Sequence, residues 1–161
     1  YSGQNFGKGD IKRIRQGVKA SLEASVVYAL AAAVLVCILL KPALGLFFTG
    51  NVDMNSMLPW AKTYIYMSVI FYIPLSSIFV FRNTMQGCGY GFLPMMGGVS
   101  ELVARLVVAK ISMAVGSYAL ACFCDPAAWV TAAVFTGVSY LFVMKDIRRK
   151  YERPETATSE K

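Results

Sequence analysis

Over 161 residues the chain is 57% hydrophobic and only 16% charged, against roughly 45–50% and about 25% in an ordinary soluble domain, a shift that points to lipid. Its formal charge of +7 does not mark a nucleic-acid binder. Lys8, Lys12, Arg13, Arg15 and Lys19 precede the first apolar run, and Lys145, Arg148, Arg149, Lys150 and Arg153 follow the last, with no basic face interleaved with stacking aromatics. That distribution orients membrane proteins, with Lys and Arg kept on the cytoplasmic side.

Residues 1–19 are polar, Gly-containing and basic and lack the apolar core of a secretory signal; opening at Tyr1, they read as an internal cytoplasmic loop. A hydrocarbon core about 30 Å thick takes about 20 mostly apolar residues of helix, and four segments qualify. The first covers about residues 20–41 and is expected to end at Lys41-Pro42, where Pro removes a donor and disfavours helix before it. Ala43 to Phe48 then reads as a short interfacial stretch and Thr49-Gly50-Asn51 as a turn. The second segment covers about 58–85, with Trp60 at headgroup level, no charge from Thr63 to Phe81, and a kink or break expected at Pro74. A connector with five Gly and Pro94, Gln86 to Gly98, leads to the third, about 98–123. Asp125-Pro126 reads as a tight turn into the fourth, about 127–146. Residues 20–147 thus form an all-α transmembrane domain with both ends cytoplasmic, and 148–161 form a polar, disordered tail.

Chemistry-bearing residues are few. Cys37, Cys88, Cys122 and Cys124 read as small apolar residues, because no His exists to complete a four-ligand zinc site, and no metal or other cofactor is expected. No Ser-Lys or paired-Asp arrangement is present either, so no catalytic residue is assigned and the chain is not expected to be an enzyme. A charge at the bilayer centre costs about 2.5 to 3.5 kcal/mol, which makes Glu101, Arg105 and Lys110 in the third segment conspicuous. Glu101 and Arg105 are four apart and can pair on one helix face; the competing reading makes Glu101 a proton or cation site. Lys110 is half a turn out of phase with Glu101, and it either snorkels or faces the bundle interior, the second being the working expectation. In the second segment Tyr72 and Ser76 share a face with Asn83 close to it, a polar stripe suited to a substrate pathway.

Four short stretches resemble a known family. Gly3-Gln4-Asn5-Phe6-Gly7-Lys8-Gly9-Asp10, with Arg13 and Gly17, resembles the "GQN-G-G-D-R-G" loop of the multidrug and toxic compound extrusion (MATE) family. Phe81-Arg82-Asn83-Thr84-Met85-Gln86-Gly87-Cys88-Gly89-Tyr90 resembles the end of that family's tenth helix, Gly98 to Arg105 the start of the eleventh, and Asp125-Pro126-Ala127-Ala128-Trp129 the turn into the twelfth. The resemblance implies a twelve-helix, two-lobed exporter in the cell membrane, of which this chain supplies helices nine to twelve and lacks the amino-terminal helices. It implies alternating access, with Na+ or H+ entering as organic, often cationic, drug-like compounds leave, and the lipid bilayer as the remaining partner. One departure stands out: some members carry an acidic cation ligand on the tenth helix, whereas residues 63–81 here hold no Asp or Glu and offer Ser76 and Ser77 instead. Coupling is therefore expected to run mainly through a carboxylate in the amino-terminal lobe, with Glu101 and Ser76 as the candidate cation ligands of this chain. A lipid-linked oligosaccharide flippase of related architecture and a self-contained four-helix exporter are the alternatives. A flippase cleft would need several Arg or Lys for pyrophosphate, and only Lys110 and Arg105 are candidates.

Overall fold

The structure, a computed structural model, describes residues 1–47 and 54–152. Seven helices follow one another, with no strand among the described residues: α1 (Ser2–Gly7), α2 (Ile11–Phe47), α3 (Met54–Ile70), α4 (Tyr72–Gly87), α5 (Phe92–Val115), α6 (Tyr118–Cys122) and α7 (Cys124–Glu152). By length and composition α2, α5 and the α6–α7 run can each cross a bilayer, and α3 with α4, bent by 47°, makes a fourth span when taken as one. The chain is an all-α membrane protein.

Residues 1–19 are not a loop throughout but α1, a short turn at residues 8–10 and the start of α2. Asp10 caps α2 by accepting from the backbone N–H of Arg13 at 3.0 Å, which satisfies a donor that a bare helix start would leave orphaned. Ile14 and Val18, one turn apart, are then buried and draw the basic end into the packed core. The 37 residues of α2 reach about 55 Å, more than a bilayer needs.

The expected stop at Lys41-Pro42 does not occur. α2 runs through Pro42 to Phe47, so residues 43–47 are its last turn and not a separate interfacial stretch. Where lipid surrounds the backbone, a helix is the available way to satisfy N–H and C=O groups, and one lost donor does not outweigh that. Phe48, the turn Thr49-Gly50-Asn51 and residues 153–161 of the tail lie outside the described residues; 148–152 belong to α7.

Three other prolines mark helix starts. Pro74, Pro94 and Pro126 each occupy the third position of α4, α5 and α7, where a helix has no partner for the missing N–H. The break in the second span therefore falls at Phe71, just ahead of Pro74. The Gly-rich connector shrinks to residues 88–91, because α5 already begins at Phe92. The third span ends at Val115, not near 123, and the turn into the fourth is Gly116-Ser117 rather than Asp125-Pro126. Gly116 takes φ 66°, a conformation open to glycine, and Ser112 Oγ donates to the Ser117 carbonyl at 2.9 Å to close the turn.

Packing is uneven. α5 and α7 form the most extensive helix pair, and the α7 face at the seam is small, with Ala128, Ala132 and Thr136 all at 0% exposure. Small residues at four-residue spacing let two membrane helices approach closely. A second core lies at the basic end, where Ile14, Val18, Met85, Cys88, Tyr140, Val143, Met144 and Ile147 bury one another with Phe6, Ile11 and Tyr90 around them. Within that core α1 lies against the end of α4 so closely that a Cβ on Gly3 would stand 2.7 Å from the Gly87 carbonyl oxygen. Gly3→Val is expected to lower stability by about 1–3 kcal/mol, read as a fall in the thermal midpoint in detergent. Gly7→Ala, where a Cβ meets nothing within 4 Å, is expected to leave it unchanged or slightly raised.

Candidate functional site

Two of the segments singled out above, residues 3–17 and 81–90, converge at the basic end. Asn5 is buried; its side-chain amide donates to the Tyr1 carbonyl at 3.0 Å, and its own carbonyl accepts from the Asp10 N–H at 2.9 Å, which shapes the turn from α1 into α2. Gly9, at φ 72°, leaves room for the Tyr151 ring, whose hydroxyl donates to the Phe6 carbonyl at 2.5 Å. Tyr90, in the α4–α5 connector, donates to the Asp146 carboxylate and accepts from Lys150 Nζ at 3.1 Å. Burial first, and then the hydrogen bond to Asp146, push the Tyr90 phenol above its usual range, so it stays protonated and keeps donating. These contacts clamp α1, the connector and the end of α7 together.

Beside the clamp an open cleft of about 770 Å³ lies between α1, α2 and α4, with Gln16, Ser21, Phe79, Asn83 and Thr84 among its walls. Asn83 is exposed into it. Tyr72 and Ser76 share the same stripe of α4 but sit higher and do not line the cleft. The Tyr72 ring packs against Trp129 with centroids 6.2 Å apart, and Ser76 Oγ donates to the Ile73 carbonyl of its own helix at 2.9 Å. Ser77 is likewise turned back onto the Pro74 carbonyl at 2.7 Å. The polar stripe therefore divides into one cleft residue and two that satisfy themselves locally or pack.

The intramembrane charges form a network. Arg105 Nη2 donates to Glu101 Oε1 at 3.0 Å along α5, and its Nε lies 3.1 Å from Asp125 Oδ1 in the first turn of α7. That second contact is a close charge contact outside hydrogen-bonding alignment, since the buried Nε has no hydrogen-bond partner. Tyr64 of α3 donates to the other Asp125 oxygen at 3.1 Å. Three spans are thus tied by one guanidinium and two carboxylates, a formal charge of −1 when all are ionised. Glu101 is confirmed in its pairing with Arg105, and no contact joins it to Ser76 among the described residues. Lys110 lies on the exposed face of α5 without an ion pair among the described residues. The α5 face packed on α7 carries Glu101, Arg105 and Ser112, and Lys110, about 140° of helix away from Arg105, is turned away from α7.

Asp125 was not foreseen as a site residue. The signal was Gly116-Ser117, a glycine stop followed by a serine cap. A turn there sets Arg105 and Asp125 about ten residues on either side of it and so at similar depth. All four cysteines are free, and no group of three or more His, Cys, Asp or Glu side chains is placed to hold a metal among the described residues.

No curated protein and no solved structure matches the chain. The family model named MatE matches residues 1–111, more than half of the sequence, and takes in α1 to α4, the Tyr90 connector and most of α5 but not α7. A MatE chain is a multidrug and toxic compound efflux transporter by kind, acting on small molecules within a bilayer. On that match, the chain belongs to the MatE family.

Proposed function

We infer that the chain supplies the ninth to twelfth spans of a secondary active transporter that exports organic, often cationic, compounds in exchange for Na+ or H+ by alternating access. The observation that carries this reading is the family match over residues 1–111. The long apolar face of α2, with Val27, Tyr28 and Ile38 about 70% exposed, fits a helix covered by lipid and by further helices of the same transporter. Repeat-built transporters place their sites between lobes, so the Asn83 cleft would form one wall of a substrate pathway, with Tyr72 and Ser76 above it. The basic termini support a cell-membrane protein with both ends in the cytoplasm.

Coupling runs mainly through a carboxylate of the amino-terminal lobe. Residues 63–81 offer none, and Glu101 is already neutralised by Arg105, which leaves Glu101 and Ser76 in a supporting role. Engagement of Arg105 by two carboxylates also leaves Lys110 as a lone cation, which argues against a pyrophosphate-holding flippase.

Ethidium efflux from exporter-deficient cells tests the reading. The chain extended upstream to the first in-frame Met is expected to confer efflux, and the 161-residue chain alone is not. Efflux by the short chain would overturn the two-lobed assignment. In the extended protein, Ser76→Ala and Glu101→Gln are each expected to keep at least half of the ion-dependent rate; abolition of that rate with folding intact would move the coupling site into this chain.

A further inference from the structure

At the basic end the charges do not balance. Residues 8–23 and 145–152 carry nine Lys or Arg and four carboxylates. All four carboxylates are taken by a cation of their own helix: Asp10 by Arg13, Glu23 by Lys19, Asp146 by Lys150 and Glu152 by Arg148. Lys8, Lys12, Arg15, Lys145 and Arg149 are left without a carboxylate within ion-pair distance among the described residues. Two of these five, Lys12 and Arg15, converge with Arg148 in a groove of about 330 Å³ between the start of α2 and the end of α7, floored by Ile11 and closed by Gln16 and Glu152.

The groove has the form of a headgroup site. Three cations face one carboxylate that Arg148 already holds at 2.7 Å, and Gln16 adds an amide donor. Arginine presents a planar fork to phosphate oxygens and lysine a point charge. Basic pockets between membrane helices at this level hold anionic phospholipid headgroups. The flank of α2 above is apolar and bare, with Val27, Val34 and Ile38 at 69%, 60% and 68% exposure and within about a quarter turn of Lys12 in helical phase. A headgroup in the groove would leave its acyl chains lying along that flank.

We propose that the α2–α7 groove is a binding site for one anionic phospholipid, whose phosphate is held by Lys12, Arg15 and Arg148. The occupant is a lipid rather than a free anion, because the apolar flank continues the site into the bilayer. The site depends on the chain's membrane placement and is independent of whether it exports drugs.

The test titrates the purified full chain in detergent with phosphatidylglycerol and with phosphatidylcholine of the same acyl chains, reading bound lipid by native mass spectrometry. The wild type is expected to prefer phosphatidylglycerol at least fivefold. The triple variant Lys12→Gln, Arg15→Gln, Arg148→Gln is expected to fall below twofold, and Lys12→Gln alone to land between, which keeps the test decisive should the triple variant misfold. A second triple variant, Lys8→Gln, Lys145→Gln, Arg149→Gln, removes equal charge outside the groove and is expected to keep the preference. If it loses the preference as fully as the first, binding is a diffuse surface field and the site is refuted. Displacement of phosphatidylglycerol by inorganic phosphate at equal concentration would assign the groove to a free anion and overturn the lipid.

Discussion

Arg105→Leu is expected to cost about 3 kcal/mol of stability, the lower end of the range for breaking a buried ion pair. The low end applies because the Arg105 side chain is 43% exposed in this bundle. The loss comes from what remains: Glu101 and Asp125, 25% and 30% exposed, face each other's field with only the Tyr64 hydroxyl to share. Unfolding of the chain in mixed micelles by increasing denaturing detergent would measure it. Adding Glu101→Gln and Asp125→Asn to Arg105→Leu is expected to recover most of the loss, since neutral amides do not need the guanidinium. Arg105→Lys is expected to be intermediate, because an ammonium lacks the fork that engages carboxylates on two helices. A loss below about 0.5 kcal/mol for Arg105→Leu, the level of an exposed pair, would show that the network does not hold the three spans together.

The sequence carried the spans and the Glu101–Arg105 pair because both are local. Hydropathy along about 20 residues and a four-residue spacing need no knowledge of neighbours. It misplaces several ends for one physical reason: Pro42 reads as a stop, Pro74 as a kink inside a span, Pro94 as part of a connector and Asp125-Pro126 as the turn between spans. Pro42 is inside a helix that lipid obliges to continue, while Pro74, Pro94 and Pro126 sit at third positions and mark beginnings. Moving the last turn from Asp125-Pro126 to Gly116-Ser117 also moves Asp125 beside Arg105, so one boundary error hid one site residue. The cleft beside Asn83 and the approach of Gly3 to Gly87 depend on tertiary register between segments more than 60 residues apart, which no local pattern encodes. The resemblance had grouped those segments by family, and the structure shows the contact between them.

Gly97→Leu is expected to have the second large effect, because Gly97 lies in the α5–α7 seam, the most extensive helix pair of the bundle. A Cβ on Gly97 would lie 2.8 Å from Thr136 Cγ2 and 3.7 Å from the Phe135 ring. Thr136 cannot swing aside, since it is at 0% exposure and its hydroxyl donates to the Ala132 carbonyl at 2.7 Å. Gly97→Ala must shift that methyl and is expected to cost about 1–2 kcal/mol, whereas Gly97→Leu must part the helices and is expected to cost about 3 kcal/mol or more. Separation at Gly97 also stretches the Arg105 bridge two turns along, so a Gly97→Leu, Arg105→Leu double variant should lose less than the sum of the two. Thr136→Ala supplies the rescue: by removing the methyl it is expected to return at least half of the Gly97→Ala loss, measured by the same unfolding titration. If Thr136→Ala leaves that loss untouched, the clash is not with Thr136 and the seam is set by the backbones alone.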